Sequence, residues 1–152
     1  MSKVKAVPEG YHTVTPFLNV VGANDAIAFY VKAFGAEERL RMPGPDGKLV
    51  HGEIKIGDSI VMVSDALMNP PTSSSIHLYV EDADAAWSRA TAAGAEVAMP
   101  IADQFWGDRY GVLKDKWGNR WAISQHKEDL SPEEMRARSA EAMKAMAQAP
   151  KP

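Results

Sequence analysis

This sequence predicts an α+β fold made of two βαβββ repeats and a C-terminal helix. Three observations predict it. First, the chain repeats itself. Phe17-Leu18-Asn19-Val20-Val21, Asp25-Ala26 and Phe34-Gly35-Ala36-Glu37 are echoed, about sixty residues later, by Ile76-His77-Leu78-Tyr79-Val80, Asp84-Ala85 and Ala93-Gly94-Ala95-Glu96. Second, short alternating apolar runs separated by Gly, Pro and Asp turns follow each copy. Third, the composition changes after His126, where Ser131-Pro132-Glu133-Glu134 is a helix start with Ser at the cap, Pro in the first turn and Glu three residues on. Two copies of one unit share a core, and the concave space they make is where a ligand would sit.

The elements follow in order. Residues 1–12 read as a loose leader with a Pro-Glu-Gly turn, and 13–66 form the first module. Thr13 to Val21 is a β-branched, apolar strand; Gly22-Ala23-Asn24-Asp25 ends it and offers an N-cap to a helix over Ala26 to Phe34. Gly35 stops that helix in the left-handed conformation glycine tolerates. Strands are expected at Glu37–Met42, Leu49–Ile56 and Ser59–Ser64, with a Pro43–Gly47 hairpin loop between the first two. Residues 67–74 are a linker. The second module, 75–126, repeats the plan: strands at Ser75–Val80, Glu96–Pro100, Tyr110–Lys114 and Arg120–Gln125, and a helix from Asp82 through Ala93. In the extension, 127–152, Met135, Ala142, Met143 and Met146 recur at helical spacing. That face packs either on its own domain or on a second copy, where soft methionines fill gaps. Residues from Ala147 on are expected to fray.

Bulk properties narrow the function. The chain has 152 residues, 45% of them hydrophobic, and no cysteine, so disulfides, thiolate metal sites and cysteine nucleophiles are excluded. A net charge of -3 gives no pull toward nucleic acid or anionic lipid. No apolar run reaches bilayer length and the N-terminus lacks a signal-peptide stretch, so the expected home is the cytoplasm. There is no Walker loop, dinucleotide Gly-rich turn or Ser-His-Asp spacing; Gly44-Pro45-Asp46-Gly47 is a hairpin.

Paired βαβββ units resemble the vicinal oxygen chelate superfamily, which includes glyoxalase I, extradiol dioxygenases, and bleomycin- and fosfomycin-resistance proteins. The match covers roughly residues 13–126. The wording is similar to the PhnB-like branch in Thr15-Pro16-Phe17-Leu18, Phe29-Tyr30, Gly57 to Asp65, Trp106-Gly107-Asp108-Arg109-Tyr110-Gly111, Asp115 to Trp121 and the tail His126 to Met135. The resemblance implies a glyoxalase-like cupped mixed sheet, a small organic ligand in the cup, and a homodimer in which strands of two chains often complete each cup.

It also implies where a metal would be held: one ligand on each of four strands. Those places fall at Thr15, at Val61 or Met62, at Ser75 and at Ala122. Hydroxyls are weak neutral donors, a thioether is soft, and Val and Ala have no donor, so this set does not suit a hard divalent cation. No metal or other cofactor is expected, and the metal-dependent chemistry of the superfamily is not carried over.

Side-chain alternation puts His51, Glu53 and Lys55 on one side of their strand and Gly52, Ile54 and Ile56 on the other. The apolar side should meet helices and the polar side the cup. His51 and Glu53 are the candidate acid/base pair for moving a proton beside a carbonyl, with His77 nearby by alternation. The three read either as polar cup lining or as a substitute metal site. Phe17, Asn19, Tyr79 and Tyr110 are expected to face the same space, suiting a small, flat, partly polar molecule. Trp106 reads as a cover over that molecule or as a residue packed under its loop, and Arg109 as a holder of a ligand carboxylate or phosphate or as a loop brace. Asp108 and Asp65 read as structural, Trp121 as a core anchor, and His12 and His126 as solvated.

The expected activity is metal-free binding of a small molecule, of the glyoxalase/bleomycin-resistance type. The alternative is a lyase or isomerase acting on a small oxo compound through His51 and Glu53.

Overall fold

The structure, a computed structural model, describes residues 4–150. The predicted elements appear in the predicted order: β1 (Phe17–Val20), α1 (Ala23–Phe34), β2 (Glu37–Pro43), β3 (Leu49–Ile56), β4 (Ser59–Asp65), β5 (Ser75–Tyr79), α2 (Ala83–Ala92), β6 (Glu96–Asp103), β7 (Asp108–Lys114), β8 (Arg120–His126) and α3 (Pro132–Gln148). They build two four-stranded mixed sheets, ordered β1-β4-β3-β2 and β5-β8-β7-β6. In each, the first strand lies parallel to the fourth while the others pair antiparallel. The helix and the two strands that follow it make the crossover between the parallel first and fourth strands. Within one chain, the expected cup is therefore two separate four-stranded sheets.

One core joins them. Alternation turns Leu18, Val20, Ile54 and Val63 of the first sheet, and Leu113, Trp121 and Ile123 of the second, into a single cluster with α1 and α2. The Phe34 and Trp121 rings meet at 4.4 Å, and Arg89 Nε donates to the Ala33 carbonyl at 3.2 Å. The opposite face of each sheet consequently looks away from this core.

Local chemistry explains most boundaries. Gly35 ends α1 with φ 65°, as expected of a left-handed C-terminal glycine. The start of α1 differs from expectation. The helix begins at Ala23, its cap Gly22 offers no side chain, and Asn24 and Asp25 do not cap it. Asp65, at the end of β4, does so instead: its Oδ1 accepts from Gly22 N at 2.8 Å and Ala23 N at 3.2 Å, and its Oδ2 from Leu49 N at 2.7 Å. β1 starts at Phe17 rather than Thr13, because Pro16 has no N–H to donate; its carbonyl still accepts from Met62 N at 2.9 Å. β6 and β7 are longer than expected, which reduces the loop between them to a turn over residues 104–107.

The Ser131–Glu134 capping box forms as predicted, with bonds of 3.2 and 2.8 Å. None of the residues of α3 is buried, and Met143 and Met146 are 66% and 77% exposed. The segment before α3 is held by His126, which is bound rather than freely solvated: Nδ1 bonds Asp108 Oδ1 at 2.8 Å and Nε2 bonds Asp129 Oδ1 at 2.9 Å.

Candidate functional site

Strand register arranges the open face of the first sheet in rows. Phe17 pairs with Met62, Met62 with Glu53, and Glu53 with Leu40. In the next row Asn19 pairs with Ser64, and His51 with Met42. A polar pair thus sits on a largely apolar surface. Glu53 is only 9% exposed, and His51 Nε2 lies 3.1 Å from its Oε1. The Phe17 ring stands edge-on to His51 at 5.8 Å, and the Ser64 hydroxyl donates to Asn19 Oδ1 at 3.1 Å.

Burial pushes the Glu53 carboxyl up, but hydrogen bonds from Tyr11 and His51, with the charges of His51 and Arg39, outweigh it and hold the group below the ordinary glutamate value. An ionised carboxylate only accepts, so the proton between the two groups belongs to His51 Nε2. Glu53 thereby fixes the His51 ring through Nε2, a contact that spacing alone does not give. Tyr11 was missed altogether, because residues 1–12 read as a loose leader.

The open face of the second sheet has a different character. Tyr79 pairs with Ser124 and Ser124 with Tyr110; His77 pairs with Ala122 and Ala122 with Val112. Small residues on β8 let the flanking rings lean together. His77 lies 4.7 Å from Tyr79 and 5.6 Å from Tyr110, and Tyr110 lies 5.3 Å from Trp106. Tyr79 is 67% exposed. His77 and Tyr79 also border an apolar crevice of about 690 Å³ between the repeats, walled by Pro16, Phe34, Val61, Ile76 and Leu78.

Not every candidate serves a ligand. The Arg109 guanidinium is bound by two surface carboxylates of the same chain: its Nη2 bonds Asp84 Oδ1 at 2.8 Å, its Nε reaches both Asp84 oxygens, and its Nη1 bonds Asp103 Oδ1 at 3.1 Å. It braces α2 against the β6–β7 hairpin. Asp108 is buried and accepts from the Ser124 hydroxyl at 2.9 Å as well as from His126, a structural role.

The metal places can now be assigned. Val61 turns into the core and Met62 does not, so the strand-four place is Met62. A hydroxyl at Thr15, a thioether at Met62, a hydroxyl at Ser75 and a methyl at Ala122 do not make a set that fits a hard cation. Among the described residues, no group of three or more His, Asp or Glu side chains is placed to share a metal ion, so His51, Glu53 and His77 do not converge.

Comparison with known proteins fits this geometry. Residues 11–123 match the Glyoxalase/Bleomycin resistance protein/Dioxygenase superfamily. The chain belongs to that superfamily. An uncharacterized Mycobacterium bovis protein is 43% identical over 136 residues, which cover 82% of this chain and 90% of that one. Among solved members of the fold, TioX from Micromonospora sp. ML1 is 28% identical with a TM-score of 0.68, covering 76% of this chain and 98% of its own. TnmS3 from Streptomyces sp. CB03234, described as an antibiotic binding protein, is 23% identical with a TM-score of 0.62, covering 82% and 100%. Among the described residues, no helix of this superfamily member is long and apolar enough to cross a membrane.

Proposed function

We propose that this protein binds a small, flat, partly polar organic molecule on the open faces of its sheets, without a four-ligand metal centre. The observation that carries the reading is a replacement. Where the superfamily places metal ligands, this chain has Thr15, Met62, Ser75 and Ala122, and beside Ala122 stands the His77–Tyr79–Tyr110–Trp106 ring cluster. Rings over small floor residues suit stacking of a planar ligand. The description of TnmS3 as antibiotic binding lends this reading support from a protein of the same fold.

Two copies complete the site in this reading. Each sheet of one chain offers four strands and faces away from the shared core, so a cup of eight strands calls for a second copy. A homodimer of this kind sediments at twice the chain mass. A second reading is favoured by the His51–Glu53 contact: a buried carboxylate that orients an imidazole is an acid/base arrangement, and it suits a lyase or isomerase acting on a small oxo compound.

The test combines elemental analysis of protein purified without added metal with thermal shift against planar aromatic compounds. A ligand at one hundred times its Kd adds about 2.7 kcal/mol of stability. The expected result is metal-free protein whose melting temperature rises with such a compound, a rise that Tyr110→Ala removes. Stoichiometric divalent metal that is required for turnover would overturn it.

A further inference from the structure

Ser64 is a hydroxyl at the end of an apolar row. On β4, Val61 and Val63 enter the core, and Ile60, Met62 and Ser64 take the other side by alternation. Ser64 is nonetheless only 5% exposed. A buried hydroxyl costs free energy unless it is hydrogen-bonded, so a serine there needs a partner. The partner stands on the next strand: Ser64 Oγ donates to Asn19 Oδ1 at 3.1 Å, across a register pair of β1 and β4. Among the described residues, neither side chain makes another hydrogen bond.

The direction of that bond fixes the amide. A flipped Asn19 would turn Nδ2 toward Ser64 and leave the buried hydroxyl proton with no acceptor. With Oδ1 on Ser64, both Nδ2 hydrogens are left unpaired on a half-buried residue of the open face. Apolar surface adjoins them. Phe17, two residues back on the same face and about 6.7 Å away along the strand, is 46% exposed, and Met62 is its register partner. Beyond Met62, Glu53 and His51 bond one another at 3.1 Å. A fixed, neutral donor beside an apolar platform complements a flat ring that carries a carbonyl oxygen.

We propose that Asn19 is a carbonyl-recognition subsite of the first sheet, its amide donating to the oxygen of a flat aromatic ketone or amide whose ring lies on Phe17 and Met62. Ser64 is the positioning residue, because it holds the amide with its donors outward. A ligand without an acceptor covers Asn19 and leaves its N–H groups without water or partner, which weakens binding. This deepens the reading of the open faces as ligand sites and rests on it.

The experiment compares wild type with Asn19→Asp, Ser64→Ala and Ser64→Thr. The probes are 2-acetylnaphthalene and 2-isopropenylnaphthalene, which have one shape and differ by a carbonyl oxygen against a methylene. The hydrocarbon is the more apolar of the two, so burial alone favours it. Wild type is expected to bind the ketone about fivefold more tightly, and the ketone alone should move an Asn19 Nδ2 proton downfield in the NMR spectrum. Asn19→Asp, of the same size but with no donor when ionised, should erase the preference. Ser64→Ala should weaken it and raise the mobility of the Asn19 amide in the free protein, and Ser64→Thr should restore both. A Ser64→Ala protein that loses stability yet keeps the preference and a rigid amide would reduce the pair to a structural contact. Equal binding of the two probes by wild type, or a preference that survives Asn19→Asp, would sink the subsite and leave the ligand reading of the face standing. Binding of neither probe would take down the subsite and that reading of the first sheet together.

Discussion

The Tyr30 hydroxyl, on the helix of the first repeat, donates to Asp115 Oδ2, at the last hairpin of the second, at 2.7 Å. The same carboxylate accepts from Trp121 Nε1 at 2.9 Å, from Asn119 Nδ2 at 3.2 Å, and through Oδ1 from the backbone N–H groups of Trp117 and Asn119 at 2.9 Å each. Burial drives the Tyr30 hydroxyl far above its ordinary pKa, and the adjacent Asp115 charge adds to the effect. One buried acid thus ties the two repeats together inside their common core.

That tie makes the repeats a single cooperative unit. Tyr30→Phe leaves Asp115 with its other donors and is expected to cost about 1–2 kcal/mol. Asp115→Ala strands several buried donors at once and should cost about 3–5 kcal/mol. Urea unfolding followed by tryptophan fluorescence and by far-UV circular dichroism should give one coincident transition in each variant. Two separated transitions in wild type would show that the repeats unfold independently.

Gly52 and Gly111 occupy equivalent places on β3 and β7, yet they should respond differently to alanine. A Cβ at Gly52 would lie 2.8 Å from the tips of Ile27 and Leu49, which can rotate. At Gly111 it would lie 2.6 Å from Trp87 Cζ3 and 2.8 Å from Ile101 Cα, so rigid ring and backbone stand in the way. Overpacking of this kind costs about 1–3 kcal/mol. Gly111→Ala is expected near the top of that range and Gly52→Ala near the bottom; the reverse order in urea midpoints would contradict the packing argument.

How much of this was legible in the sequence depends on how far each interaction reaches. Gly35, the Ser131–Glu134 box and the polar side of β3 are local signals, and each appears where the pattern put it. Asp65 capping α1 from forty-two residues away is not local, and neither is Arg109 bound to Asp84 across twenty-five. A guanidinium near aromatic residues reads equally as a ligand holder or a loop brace, and only the fold shows the carboxylates beside it. Tyr11 was hidden for the same reason: a Pro- and Gly-containing leader has no periodicity, and Glu53, the group it is set near, lies on β3.

The Asp65 cap predicts acid sensitivity at the start of α1. Burial pushes the Asp65 carboxyl up, but three backbone N–H groups and the Lys48 charge hold it below its ordinary value of 3.8. A lowered folded pKa means the stabilisation is present above that value and is lost as pH falls through the folded one. Asp65→Asn keeps the size but removes the charge, and is expected to cost about 1–3 kcal/mol at pH 7. The penalty should shrink in acid. A cost independent of pH between 7 and 2 would show that charge plays no part in the cap.

His126 gives the opposite sign on the other side of the molecule. Hydrogen bonds to Asp129 and then Asp108 raise its pKa above 6.5, while Asp108 is lifted by burial but pulled below 3.8 overall by bonds from His126 and Ser124. A raised histidine contributes fully below 6.5 and loses its contribution as pH climbs through the folded value; the lowered Asp108 contributes above 3.8 and loses its share only in acid. The clamp is therefore at full strength between roughly pH 4 and 6.5. α3 has no buried residue and depends on the segment that His126 fixes, so its chemical shifts should move toward coil values as pH rises from 6 to 9. His126→Asn should flatten that dependence by removing the titrating group. A helix whose shifts stay constant over that range in wild type would mean that α3 is held by other contacts, the methionine face against a second copy among them.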